Sequence, residues 1–287
     1  MGDVLAGIHA TWEFEPDSVL IRFERGIRTP KLFTALRERR IPHEALESVT
    51  LTPGKRGTVV LHAVPRPGAD PLMEAAAGQL KDGCDPYRLV LPAERETLAE
   101  YHADELRALL GPDAAEPSER YVVAAPELPQ SFKAYDGKAS FDGRQVSFRW
   151  FWTGASSAKW KAGDQTFPLA SLCGVEWRSP EVFDGHLRLV RRDVDAAAAP
   201  QPDQDPAAVV FGLGYGPVHE SLPFAAAVLQ AIRGAAGAPV PVAHASPGRR
   251  DPADIAERIR HLGELHRAGL VTDAEFSAKK AELLAEL

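Results

Sequence analysis

Histidine and cysteine have the widest chemical scope of the side chains here, and this 287-residue chain holds nine of the first and two of the second. Cys84 and Cys173 stand far apart and match neither a disulfide framework nor a metal-ligand spacing, so they read as ordinary thiols of a reducing compartment. His43-Glu44 and His219-Glu220 set an imidazole beside a carboxylate, the raw material of acid–base catalysis. The two pairs fall at unmatched positions, however, and Glu44 and Glu47 sit near a strand start, where carboxylates are ordinarily solvated. His9, His62, His102 and His186 are scattered without ligand spacing. No phosphate-binding Walker loop, nucleophile elbow, H-E-x-x-H or C-x-x-C occurs. GLGYG at 212–216 lacks the third glycine and precedes no βαβ unit, so it reads as a loop. The expectation is a protein that is not an enzyme and has no metal and no cofactor.

Two segments carry surface chemistry instead. From Arg22 to Arg40 seven bases (Arg22, Arg25, Arg28, Lys31, Arg37, Arg39 and Arg40) face two acids, Glu24 and Glu38, with LFTAL among them. Such a run is either a solvated loop or a patch for an anionic ligand or lipid headgroup. The second is FRWFWTGASSAKWK at 148–161, where Trp150, Trp152 and Trp160 interleave with Arg149, Lys159 and Lys161. Alternation puts Phe148, Trp150 and Trp152 on one face. That is a core strand with one exposed aromatic, or a contact strand for another molecule. The net charge of −7 argues against a surface given over to nucleic acid. The N-terminus has neither the basic nor the apolar region of a signal peptide, its Met-Gly start carries Ala6 where a myristoylation site wants Ser or Thr, and no run is long enough to span a bilayer. The expectation is a soluble cytoplasmic protein, with the Arg-, Ala- and Pro-rich usage of a GC-rich bacterial genome.

The elements that position these residues occur twice. ATWEFEPDSVLIRF from Ala10 aligns with GKASFDGRQVSFRW from Gly137, setting Phe14 on Phe141, Val19 on Val146, Arg22 on Arg149 and Phe23 on Trp150. RRIPHEALESVTL then aligns with QTFPLASLCGVEW, with Pro42 on Pro168 and Leu46 on Leu172. TVVLHAV aligns with HLRLVRR, and DPYRLVL with DPAAVVF. Each copy closes with a helix. In the first, Thr97 and Glu100 form a capping box before a Leu98–Tyr101–Leu106–Leu109 stripe. In the second, Ser221 caps a helix that buries Phe224, Val228 and Ile232 and ends at Gly234. Six or seven short strands and one helix, in about 100 residues, suit a pleckstrin-homology-like (PH-like) barrel with the helix plugging one open end.

The paired units, through WEFEPDSVLIRF with PHEALESVTLTPGKRG and SFDGRQVSFRW with PLASLCGVEW, resemble the bacterial domain of unknown function 4429, a PH-like domain of actinobacterial type that occurs in tandem. The resemblance covers about residues 9–235 and implies no reaction. The expected fold is mainly β with α: a first PH-like domain at 8–112, a linker at 113–131, a second PH-like domain at 132–235, a Pro/Ala-rich flexible linker at 236–252 and a helical hairpin at 253–287.

The hairpin reads from caps and periodicity. Ile255, Ile259, Leu262 and Leu265 line one helix, which Gly269 ends. Leu270 crosses the turn, and Thr272 with Glu275 boxes a second helix carrying Phe276, Leu283 and Leu287. GLVTDAEFSAKKAELL resembles the short C-terminal domain called SHOCT, and that resemblance implies a role in oligomerisation or protein interaction. So small a unit, without cysteine or metal ligands, needs a packing partner: the same hairpin of another chain, the second PH-like domain or a different protein. The functional expectation is a scaffold whose tandem domains recognise a partner and whose hairpin makes a homo-oligomer or binds another protein. The alternative is a peripheral membrane adaptor that holds anionic lipid through the basic segment; nucleic acid is not expected.

Overall fold

Period-two alternation builds the leading sheet of the first copy. Trp12, Val19, Ile21 and Ile41 are fully buried, whereas Arg22, Glu38 and Arg40, on the other face, are exposed. These residues lie on β1 (Asp3–Ala6), β2 (Ala10–Phe14), β3 (Ser18–Phe23) and β4 (Glu38–Pro42), antiparallel and in chain order. β5 (Leu46–Pro53), β6 (Thr58–Pro65) and β7 (Arg88–Pro92) form a second, three-stranded sheet. The second copy repeats both, as β8 (Gln130–Lys133), β9 (Gly137–Phe141), β10 (Gln145–Trp150) and β11 (Gln165–Pro168), then β12 (Leu172–Arg178), β13 (His186–Arg191) and β14 (Ala208–Val210). This computed structural model describes residues 3–194, 199–212 and 218–236. The chain divides into two units, Met1–Ala238, which holds both copies, and Pro239–Leu287; the expected hairpin and most of GLGYG lie outside the described residues.

The duplication extends to irregularities. Both copies bulge one residue into the three-stranded sheet, between Leu46 and Ser48 and between Leu172 and Gly174. Both Asp-Pro pairs make the same turn: Asp85 accepts from the Tyr87 amide at 2.9 Å and Asp205 from the Ala207 amide at 2.8 Å. Each aspartate also pairs with a base on the adjacent strand, Asp85 with His62 at 3.2 Å and Asp205 with Arg188 at 3.0 Å.

The expected closed barrels are not what forms: each copy is a pair of sheets. They touch where the Ile8 amide donates to the Val90 carbonyl at 2.7 Å, and at the matching place the Tyr135 amide donates to the Val210 carbonyl at 3.0 Å. Gly7 makes the first approach feasible, because a Cβ there would lie 2.6 Å from the Val90 oxygen.

Helices fill what the sheets leave open. α1 (Lys31–Leu36) and α4 (Ser157–Ala162) occupy the matching connections, β3 to β4 and β10 to β11, and LFTAL, read as loop, is α1 with Leu32, Phe33 and Leu36 buried. α2 (Pro71–Ala76) follows β6, and α3 (Glu96–Ala108) closes the first copy. α3 starts before Thr97, whose capping box does not form, and of the expected stripe only Leu106 is buried. Its inner face is instead Ala99, His102, Ala103 and Leu106, small enough for close approach, with His102 stacked on Phe14 at 4.1 Å between ring centres. α5 (Val218–Ala236) runs past both expected ends, so Ser221 lies inside it and accepts a hydrogen bond from the Trp177 indole at 3.0 Å. Phe224, Val228 and Ile232 are buried as expected.

α5 also joins the copies. It packs on β8 and β12 of its own copy and on α1 and α2 of the first. Arg233 donates to the Gly68 carbonyl at 3.0 Å, pairs with Glu74 and lies 3.9 Å over the Tyr121 ring. The Gln79 side chain bridges to the outer edge of β12, its amide donating to the Trp177 carbonyl at 2.9 Å and its oxygen accepting from the Ser179 amide at 3.0 Å. A side-chain amide there takes the hydrogen bonds a further strand would make. Residues 113–131, expected to be a linker, are bound down: Val123 is buried, its amide reaches the Ala69 carbonyl, and the Ala125 amide donates to Gln230.

Candidate interaction surfaces

The basic segment separates into three groups. Arg39 is not at the surface. Its β4 position faces inward, and its guanidinium donates to Asp70 at 2.8 Å and to the Tyr87 hydroxyl at 3.2 Å, while the Tyr87 hydroxyl donates to Asp70. Burial alone would lower the Arg39 pKa, but Asp70 and Tyr87 outweigh it and hold the guanidinium above its ordinary value. Burial, with the Asp70 carboxylate adding to it, pushes the Tyr87 hydroxyl well above its own. Asp70 also accepts from the Leu72 amide at 2.8 Å as the N-cap of α2, so this cluster ties β4 and the residue leading into β7 to the helix that meets α5.

Arg22 and Arg40 are exposed but paired, Arg22 with Glu13 at 2.5 Å and Arg40 with Glu15. That leaves Arg25, Arg28, Lys31 and Arg37 exposed around the β3–α1 loop and the end of α1. Ile27, between Arg25 and Arg28, is fully exposed at 107 %. Arg37 sits at φ 61°, an uncommon conformation for a residue with a Cβ. An apolar tip ringed by cations can enter the headgroup layer of an anionic bilayer.

The tryptophan segment also divides. β10 ends at Trp150, which is buried and donates its indole N–H to the Gly163 carbonyl at 2.7 Å. Trp152 lies beyond the strand and does not continue its alternation. It meets Trp160 edge-on at 4.8 Å, and both are exposed, at 51 % and 40 %. Between them Lys159 turns fully inward, its ammonium 2.5 Å from Asp136 and 5.0 Å over the Trp150 ring. Burial raises the Asp136 pKa and lowers that of Lys159, and each charge only partly offsets the other's desolvation. Asp136 also accepts from the Val210 amide at 3.0 Å, so the pair links the two sheets of the second copy.

Among the described residues the two histidine–glutamate pairs make no contact with each other, although His219 lies 3.7 Å from Glu220 within its own pair. His43 begins a 3₁₀ turn at 43–45, with burial holding its pKa below the ordinary value, and burial does the same to His219 on α5. Among the described residues no group of three or more His, Cys, Asp or Glu side chains is placed to hold a metal ion. Nor is any helix among them long and apolar enough to cross a membrane. Sequence reasoning passed over Asp70, Asp136 and Gln79. Only the polar residue's place next to a turn hinted at the two aspartates, and nothing local marked Gln79.

Two family models match this sequence. The one described as Domain of unknown function (DUF4429) matches residues 12–107 and again 139–229, the two copies traced above. The one described as Short C-terminal domain matches residues 257–284. No curated protein matches the chain.

Proposed function

The chain belongs to the family of the domain of unknown function 4429, carried twice and followed by a short C-terminal domain, and from that premise we propose a non-enzymatic scaffold. In this reading each copy is a PH-like module: a four-stranded and a three-stranded antiparallel sheet, closed by a C-terminal helix. The tandem modules recognise a partner, and the C-terminal segment, through Ile255, Ile259, Leu262, Leu265, Leu270, Phe276, Leu283 and Leu287, gathers copies of the chain. The observation that carries the recognition half is α5, which packs on its own copy and on α1 and α2 of the other. Two recognition surfaces are thereby held in one fixed relation, and an assembling tail multiplies weak contacts through effective concentration. Light scattering after size-exclusion chromatography tests assembly. The full chain should be a multimer and a chain stopped at Gly248 a monomer. The same number of chains per particle in both would remove the assembly role.

A second reading rests on Ile27. Its full exposure between Arg25 and Arg28 favours a peripheral membrane adaptor that uses the β3–α1 loop. Vesicles of phosphatidylcholine and phosphatidylserine should then sediment the protein in a salt-sensitive manner, and Ile27→Ser should weaken this. Binding that ignores lipid charge would exclude the electrostatic version.

A further inference from the structure

The outer face of the β8–β11 sheet differs from its counterpart in the first copy in a way the fold does not require. Register aligns Ser131, Ser140, Ser147 and Thr166 in one row across all four strands. The next row is Lys133, Lys138 and Arg149, directly opposite one another, with Asp164 3.9 Å from Arg149 at its end. Cross-strand like charges repel, so three cations set side by side are unfavourable. Lys133 and Lys138 have no carboxylate partner among the described residues.

The first copy serves as an internal control. Its matching rows are Val4–Glu13–Leu20–Arg40 and Ala6–Thr11–Arg22–Glu38. There two acids balance two bases, with Arg22 on Glu13 at 2.5 Å and near Glu38 at 3.9 Å. The second copy keeps the arginine–acid pair at the same 3.9 Å separation. It then adds Lys133 for Ala6 and Lys138 for Thr11, and replaces Glu13 and Leu20 by the hydroxyls of Ser140 and Ser147. Three bases thus face one acid on the same scaffold, beside hydroxyls in place of a carboxylate and an aliphatic side chain. A shallow depression of about 290 Å³ lies over the hydroxyl row, lined by Ser131, Ser140 and Ser147, with Lys138 at the edge toward the cations and Asp142 at the far end; Lys133 and Arg149 lie outside it.

We propose that this face binds a compact, multiply phosphorylated small molecule, its phosphates on Lys133, Lys138 and Arg149 and its remaining oxygens on Ser131, Ser140 and Ser147. Strands about 4.8 Å apart put the three cations within about 10 Å, a span that clustered phosphates fill. Asp142 beyond the hydroxyl row and Asp164 beside Arg149 bound the positive area, so a bilayer or a nucleic-acid duplex lying across it would bring phosphates against carboxylates. The ligand is therefore a soluble molecule and not a surface. The inference extends the recognition half of the scaffold reading and is independent of assembly by the tail.

The test is titration calorimetry of the full chain with inorganic tripolyphosphate, beside inorganic phosphate and vesicles of phosphatidylcholine doped with phosphatidylinositol bisphosphate. Lys138→Thr and Ser140→Glu each install the residue of the first copy. Both should weaken tripolyphosphate binding about tenfold or more, while urea unfolding shows each variant at least as stable as the parent, since like-charge repulsion is relieved. Single phosphate should bind more weakly than tripolyphosphate. Failure of tripolyphosphate to bind would overturn the proposal, as would binding that survives both substitutions or is abolished instead by Arg28→Ala. Binding to the doped vesicles but not to tripolyphosphate would reassign the face to membrane headgroups and overturn the soluble ligand. Light scattering on the same variants should show unchanged molar mass, which keeps this result separate from the assembly claim.

Discussion

Asp70 holds three partners, so its removal has a calculable cost. Its carboxylate receives the Arg39 guanidinium, the Tyr87 hydroxyl and the Leu72 amide, and the side chains of Arg39 and Asp70 are 3 % and 0 % exposed. Asp70→Ala strands a guanidinium that burial forbids to hydrate, and breaking such a buried pair from one side costs about 3–5 kcal/mol. Loss of the α2 N-cap adds about 1 kcal/mol, giving roughly 4–6 kcal/mol against a total stability of about 5–15 kcal/mol. Urea unfolding reads the loss as a lower midpoint at unchanged slope. Asp70→Asn keeps an acceptor for the Leu72 amide and should lose less. The triple variant Arg39→Met, Asp70→Leu, Tyr87→Phe removes the three coupled side chains together, leaving only the Leu72 amide and the Ala124 carbonyl without their side-chain partners, and should fall within about 2 kcal/mol of the parent. A loss below about 2 kcal/mol for Asp70→Ala, or a triple variant worse than the single, would refute the reasoning that an orphaned charge, and not the lost pair, sets the cost.

The Asp136–Lys159 pair should behave alike: Asp136→Ala destabilises by about 3 kcal/mol or more, whereas Asp136→Leu with Lys159→Met restores most of it, as thermal unfolding of the two would show. His43 supplies a pH dependence. Burial, opposed by Asp17 and by a hydrogen bond to Ser18, holds its folded pKa below the ordinary 6.5, so the stability it contributes is complete above pH 6.5 and lost as pH falls through the folded value. His43→Gln should flatten the urea midpoint against pH across that window, and an unchanged profile would assign the dependence elsewhere. Gln79→Ala should speed hydrogen exchange at the Ser179 amide, which Gln79 now holds, and leave exchange in β2 and β3 unchanged.

The duplication was legible because both copies bury the same alternating positions: Val19 and Val146 lie at equivalent register, and Pro42 and Pro168 end equivalent strands. The helix ends were not legible. The capping box at Thr97 and the N-cap at Ser221 are local preferences, and tertiary packing overrode both, through the close alanine face of α3 and the hydrogen bond from Trp177 to Ser221. Charge counting along Arg22–Arg40 ran together residues that strand alternation separates, which is why Arg39 entered a surface set while its side chain points into the core. The rows on the β8–β11 sheet were out of reach for a different reason. Lys133, Lys138 and Arg149 look unremarkable in the chain and become neighbours only when strand register is known. The contact between copies is likewise invisible locally, since Gln79 and Ser179 lie 100 residues apart.

The proposed gathering of the joined recognition modules by the C-terminal segment is open to a single substitution in the full chain. Phe276→Asp puts a charge among the apolar residues that the sequence spaces along that segment and leaves both copies of the family domain untouched. Sedimentation equilibrium of the full chain should return a multiple of 31.1 kDa that falls to the monomer value in the variant. A parent that sediments as a monomer across the concentration range, or a variant of unchanged mass, would contradict the claim.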